Sequence, residues 1–188
     1  ELYKHSEGII SNVMEYAECS KIPLMTVADF LWNPIAYKPD ESLKNAHQEI
    51  LGNDADIFAL FADHLCVSCL SRYASSYMGD VLSKVSFLEA SDRKDESLKL
   101  LSSYISDMKK CLTLISDTNV PLFAELQKWV KKFSMCCDLL YDIYTAKENP
   151  TQENKNMLLE SLQKYNSDGT ILTGFCLREM AEKTIAKI

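Results

Sequence analysis

The residues best suited to chemistry in this chain of 188 residues are seven cysteines and three histidines. Cys66-Val67-Ser68-Cys69 has the CxxC spacing shared by redox and zinc sites. A redox CxxC opens a helix directly after a strand, where the helix end lowers the thiol pKa, and a zinc site needs a second ligand pair at similar spacing. Neither context surrounds Cys66. His5, His47 and His64 form no HExxH, the spacing that aims two imidazoles from one helix face at a metal. Cys19, Cys111, Cys136, Cys137 and Cys176 fall mostly at positions that pattern as apolar, where a reduced cysteine packs as a small hydrophobe. The expectation is no metal site, no cofactor and no thiol chemistry.

Other catalytic constellations are missing too. The chain has no GxSxG turn for a nucleophilic serine and no glycine-rich loop for phosphates. Its many carboxylates are spread over stretches that pattern as helix, where solvated faces are their ordinary place. Lys128, Lys131 and Lys132 make the longest basic cluster, at helical spacing, and are expected on a solvated helix face. A formal charge of −7 without a compensating basic block argues against nucleic acid or an anionic membrane surface as the main partner. Every apolar run is far shorter than the roughly 18 residues of a membrane span. Glu1-Leu2-Tyr3-Lys4 lacks the basic-then-apolar layout of a signal peptide, so any export signal is expected upstream.

The elements that would carry such residues read as helices throughout. The composition, 47% apolar with only five glycines and five prolines, fits a packed core built from long elements with few turns. The length fits one domain, or at most two small ones. Apolar positions from Met14 to Trp32 recur at three- to five-residue steps, with Pro23 expected to kink the helix or restart it with Ser20 as cap. Asn33-Pro34 ends that helix, because the residue before proline is driven out of the α region. Asp40 is expected to cap a helix through Leu51, closed by Gly52, and Asp54 to open another reaching about Tyr73. A break at Ala74–Gly79 and a helix from Asp80 to about Ala90 follow.

In Glu96–Ser116 the residues Leu98, Leu101, Ile105, Met108, Leu112 and Ile115 alternate three- and four-residue steps, the seam of a helix in an antiparallel bundle. After Pro121, a second long apolar face runs from Leu122 through Leu126, Trp129, Phe133, Cys137 and Leu140 to Tyr144. Asn149-Pro150 is expected to open a helix to about Tyr165, Ser167-Asp168-Gly169 to form a turn, and Ile171–Lys187 to form the last helix. No stretch alternates with period two for long enough to build a sheet. The fold class is all-α, a bundle of about six to eight helices with mostly antiparallel neighbours.

The residues alone indicate no more than a helical domain; a resemblance adds to them. Gly8-Ile9-Ile10-Ser11-Asn12-Val13-Met14, Ala17-Glu18-Cys19-Ser20-Lys21-Ile22-Pro23-Leu24, Thr26-Val27-Ala28-Asp29-Phe30-Leu31-Trp32-Asn33-Pro34, Ala36-Tyr37 and Pro39-Asp40-Glu41-Ser42 follow one another in an ordered signature. This signature resembles the bacterial O-GlcNAcase and hyaluronidase-like β-N-acetylglucosaminidases, glycoside hydrolase family eighty-four. There it marks the exit from the catalytic barrel into a post-catalytic helical domain. Fainter likenesses continue through Phe61-Ala62-Asp63-His64 and through Pro121-Leu122, Glu125-Leu126, Trp129 and Phe133. Val13 replaces the usual proline of the Ser-Asn loop, and Leu43 replaces a tryptophan. No Asp-Asp pair occurs in the chain, so the family's catalytic aspartates are expected outside it.

The resemblance implies residues 1–13 as the tail of the barrel, residues 14–188 as the helical domain, and the barrel of the parent chain as its main partner. It also implies substrate-assisted cleavage of a GlcNAc-containing glycan, in which the sugar's own acetamido oxygen attacks the anomeric carbon. Among the family's functional residues, only the substrate-loop asparagine maps here, onto Asn12. Its alternative role is a cap on the first helix. Phe30, Trp32 and Tyr37 are expected to be buried at the corner that follows. Export to the cell surface or beyond is implied by the family, against which seven cysteines stand as a tension that leaves the cytoplasm open. An independent helical module binding carbohydrate or protein is the alternative reading, and a homodimer through the face that meets the barrel is a further expectation.

Overall fold

A computed structural model describes residues 4–65, 76–117 and 120–188. Nine α-helices and no strands occur among the described residues. In chain order they are α1 (Ala17–Trp32), α2 (Pro39–Leu51), α3 (Ala55–His64), α4 (Ser76–Ala90), α5 (Lys94–Asp117), α6 (Pro121–Glu125), α7 (Gln127–Glu148), α8 (Gln152–Ser167) and α9 (Cys176–Ile185). The all-α expectation holds. The CxxC at Cys66 and Cys69 and the end of the helix expected to reach Tyr73 lie outside the described residues.

Several boundaries differ from the sequence reading, most of them for a local reason. α1 starts at Ala17, three residues later than expected, and runs through Pro23 without restarting. Ser20 is therefore interior, and its hydroxyl donates to the Tyr16 carbonyl at 2.7 Å instead of capping a new helix. α2 takes Lys38 as its N-cap and Pro39 as its first residue, where the fixed proline φ suits a helix and the missing N–H costs nothing. Gly52 closes α2 as expected, at φ 57°, a conformation that L side chains rarely adopt.

Among the described residues α4 runs from Ser76, inside the expected break, and carries the fully buried Met78 and then Gly79 within the helix. The long helix expected after Pro121 divides at Leu126, whose N–H turns back to the Phe123 carbonyl at 3.2 Å. α8 starts after Asn149-Pro150 because the Thr151 hydroxyl is the cap, accepting from the Asn154 N–H at 3.2 Å. α9 starts five residues after Ile171. Thr173 and Gly174 have φ near +60°, which no right-handed helix contains.

The chain divides into two compact units. The smaller comprises Glu1–Ala59 with Thr118–Leu126. In it α1 packs on α2 and α6. Its core is aromatic: the His47 ring stands edge-on to Phe58 at 5.1 Å between centroids, and Phe58 edge-on to Phe123 at 5.7 Å. Ala46, Leu51, Ala55 and Leu122 are buried with them.

The larger unit comprises Leu60–Asp117 with Gln127–Ile188. α7 is its central helix, packing on α5, α8 and α9. α7 and α8 run antiparallel: Lys132 near the start of α7 meets Tyr165 near the end of α8, and Asp142 further along meets Ser161. The apolar seam read in α5 is buried at Leu101, Ile105, Met108 and Ile115, and α7 contributes Phe133, Leu139, Leu140 and Ile143.

The basic cluster on α7 is the solvated face expected for it at Lys128 and Lys131, but not at Lys132. Lys131 is exposed, but Lys132 is 3% exposed. Its ammonium donates to the Tyr165 carbonyl and, at 2.8 Å, to the Asp168 carbonyl, and lies 3.8 Å from the centre of the Tyr165 ring. The last carbonyls of a helix have no partner within it, and a cation satisfies both their lone pairs and the helix dipole. Burial lowers the Lys132 pKa while the Asp168 carboxylate pulls it back up. Lys132→Met should therefore cost about 1–3 kcal/mol, the penalty of leaving buried acceptors without a donor, read as a lower midpoint of urea unfolding.

His64 makes the larger unit sensitive to acid. The ring is fully buried, with Nδ1 2.6 Å from the Leu60 carbonyl and Nε2 2.7 Å from the Tyr104 hydroxyl. A carbonyl only accepts, so Nδ1 carries the proton and the Tyr104 hydroxyl donates to Nε2. Burial lowers the His64 pKa, partly opposed by the Leu60 carbonyl and the Asp63 carboxylate. Below about pH 6.5 an unfolded histidine binds a proton that the folded one refuses. The stabilisation is complete above that pH and is lost as pH falls. Urea unfolding midpoints should drop from pH 7 to pH 5, and drop less in His64→Gln.

Candidate functional site

The signature stretch of residues 8–42 lies in the smaller unit and can be built from its two ends. At the carboxyl end of α1, Asn33 leaves the helical region, its N–H bonding the Asp29 carbonyl at 3.2 Å and its side-chain oxygen accepting from the Ala36 N–H at 3.2 Å. That side chain bridges Pro34 and sets the corner, which is why an asparagine before the proline suits this turn. The Asp29 carboxylate accepts from the Ser42 hydroxyl at 2.6 Å, tying α1 to α2. Phe30 stands edge-on to Tyr37 at 5.5 Å, both half-buried.

The expectation that Trp32 is buried with them is corrected: it is 93% exposed. Its neighbour in the turn, Ile35, is 83% exposed, and Leu43, standing where the family signature has tryptophan, is also exposed. The corner is held by hydrogen bonds and one aromatic pair. Trp32 contributes almost nothing to the interior.

At the amino end, residues 8–14 have no regular secondary structure and Asn12 is exposed. Asn12 does not cap α1. The N-cap is Tyr16, which makes no side-chain capping bond. The role is filled from a distant part of the chain: the Glu125 carboxylate accepts from the Glu18 N–H at 3.1 Å with Oε1 and from the Cys19 N–H at 2.9 Å with Oε2. The same bonds hold the Glu125 carboxyl below the usual carboxylate range. The Cys19 thiol is pushed up to about 12, first by burial and then by its hydrogen bond to Glu125 and that carboxylate's charge, so it stays protonated and unreactive at neutral pH.

The other candidates do not converge. His5 is exposed, His47 belongs to the aromatic core of the smaller unit and His64 to the core of the larger. Among the described residues no three His, Cys, Asp or Glu side chains are grouped to hold a metal ion. Burial pushes the thiols of Cys111 and Cys137 up to about 12 and that of Cys176 to about 11, which leaves little thiolate for nucleophilic work. A groove of about 900 Å³ between α4 and α9 is lined by Leu82, Glu89, Lys147, Cys176 and Met180; of the cysteines and histidines it contains Cys176 alone, with no second candidate beside it. Sequence reasoning missed the cap made by Glu125. Its only local signal was an acidic residue ending a short proline-led helix, which does not reveal a bond to residues more than a hundred positions away.

The helical architecture and the ordered stretch around Asn12 define a class. Residues 1–63 match the family of beta-N-acetylglucosaminidases. The chain also superposes on a mutant of the Thermobaculum terrenum O-GlcNAc hydrolase with a TM-score of 0.89 at 26% identity, covering 99% of this chain and 42% of that one. It superposes on CpGH84B with a TM-score of 0.79 at 18% identity, covering 97% of this chain and 34% of that one, a likeness of fold alone. The resemblance read in the sequence, to the β-N-acetylglucosaminidases of glycoside hydrolase family eighty-four, thus has the match over residues 1–63 and the likeness to the O-GlcNAc hydrolase behind it. It spans less than half the length of the O-GlcNAc hydrolase that it matches.

Proposed function

We propose that this chain is the post-catalytic helical domain of a β-N-acetylglucosaminidase acting on GlcNAc-bearing glycans, and that it buttresses the catalytic barrel of the same enzyme. Residues 1–13 are the last segment of the barrel, and residues 14–188 are the domain that follows. One observation carries this reading: the family stretch leaves its apolar side chains in water. Ile10 is 98%, Trp32 93% and Ile35 83% exposed, and Val13, Met14 and Leu31 are each about half exposed. Side chains of this size stabilise by roughly 1.5–3 kcal/mol each when buried, and concentrations of exposed apolar residues mark interaction surfaces. A barrel packed against them would supply that burial.

Asn12 is the residue of this chain that reaches the sugar. Its side-chain amide offers two donors and an acceptor, which suits a pair of adjacent hydroxyls, and its exposed place outside any helix leaves it free for that task. The chemistry belongs to the barrel. There one carboxylate orients the substrate acetamide and a second protonates the leaving oxygen, and this chain supplies neither.

Trp32→Gln tests the buttress. The unfolding free energy of the isolated chain should change by less than about 0.5 kcal/mol, as for an exposed substitution. The complete enzyme should lose thermal stability and inactivate faster on heating. An equal loss in the isolated chain would mean that Trp32 serves the domain's own core, and the reading would fall.

A further inference from the structure

We propose that Glu125 is a positioning residue for the sugar-binding segment, holding the start of α1 so that Asn12 is presented in one place; the inference rests on the reading of Asn12 as a sugar contact. The first N–H groups of any helix lack partners within it, and a residue next to the helix normally supplies one. Here Tyr16 supplies none. Both oxygens of Glu125 are used instead, one on each of two consecutive N–H groups, Glu18 and Cys19. The negative carboxylate also sits at the positive end of the α1 dipole.

Glu125 is itself held firmly. It ends α6, whose Leu122 and Phe123 are buried in the aromatic core of the smaller unit, and the Cys19 sulfur lies 4.0 Å from the Leu122 carbonyl oxygen. On the other side of the same turn, the Ser20 hydroxyl lies 2.7 Å from the Tyr16 carbonyl and 3.4 Å from the Met14 carbonyl. Residues 14–19 are thus fixed by a carboxylate from α6 and a hydroxyl from α1. Asn12 lies two residues before Met14. A local cap would stabilise the helix equally well, but it would leave the direction of the preceding chain to that loop. The bond from α6 refers that direction to the packed core.

The test is a double-mutant cycle in the complete enzyme with 4-nitrophenyl β-N-acetylglucosaminide as substrate, at a temperature where every variant is folded. Glu125→Ala should lower kcat/KM about tenfold, the scale of a misplaced binding group. Glu125→Gln, which keeps one acceptor oxygen and the side-chain shape, should retain intermediate activity, and it carries the test if the alanine variant fails to fold. In an Asn12→Ala background neither substitution should lower kcat/KM further, because the group being positioned is gone. Amide exchange at Glu18 and Cys19 should accelerate in Glu125→Ala, while the capped Asn154 amide keeps its rate.

Unchanged exchange at Glu18 and Cys19 would overturn the inference. So would unchanged kcat/KM in the Glu125 variants, or the same fold-loss with and without Asn12. If Asn12→Ala alone leaves kcat/KM unchanged, the sugar reading of Asn12 fails and the positioning role fails with it. A loss on removing Asn12 together with an independent effect of Glu125 sinks only the latter.

Discussion

Replacing Phe133 by alanine is expected to destabilise the larger unit by about 3–5 kcal/mol, the range for removing a fully buried aromatic ring. Phe133 is fully buried on α7, edge-on to Phe61 at 5.2 Å and to His64 at 5.0 Å. Its removal deletes both ring contacts and leaves a void beside the His64–Tyr104 hydrogen bond, at a place hemmed in by α3, α5 and α7. Refilling such a void needs several helices to move together, so little relaxation should soften the loss. Phe87 is a control of the same chemistry: at 66% exposed, its change to alanine should cost no more than about 0.5 kcal/mol. Urea unfolding of both variants measures the contrast. Similar midpoints would mean that α7 is not the centre of the core.

Asn12→Ala in the complete enzyme is expected to lower kcat/KM on an aryl β-N-acetylglucosaminide by about ten- to a hundredfold. That corresponds to one or two hydrogen bonds at about 1–1.5 kcal/mol each. The unfolding midpoint should not change, because Asn12 is exposed and caps no helix. This pairing separates the sugar role from the capping role considered for the same residue. A capping asparagine loses about 1 kcal/mol of stability on change to alanine and leaves the chemistry alone. Asn12→Asp should be nearly as damaging as alanine, since a carboxylate accepts but no longer donates to sugar hydroxyls.

The helices were legible in the sequence wherever local chemistry decides. The three- and four-residue steps of Leu98 to Ile115 gave α5 within two residues, and Gly52 and Asn33-Pro34 gave the ends of α2 and α1. Apart from shifted boundaries, the errors came where a distant group overrides the local signal. Pro23 is carried through α1 in a helix whose amino end is fixed from α6. Lys132 is pulled inward by carbonyls at the end of α8, 33 and 36 positions away.

The site divides along the same line. The family signature around Asn12 is a continuous stretch of residues, so sequence could find it. The bonds from Glu125 to Glu18 and Cys19 join separate parts of the chain and carry no periodicity. Trp32 was misread because a large aromatic in a helix is usually core, whereas this one is 93% exposed. Its exposure follows if the partner that covers it is another domain.

The division of labour between this chain and a catalytic barrel can be tested by the turnover of 4-nitrophenyl β-N-acetylglucosaminide, measured side by side for the purified 188-residue chain and for the complete enzyme. The complete enzyme should release nitrophenol, and the chain none above the buffer rate. Turnover by the chain alone, abolished by a substitution within residues 4–188, would contradict that division.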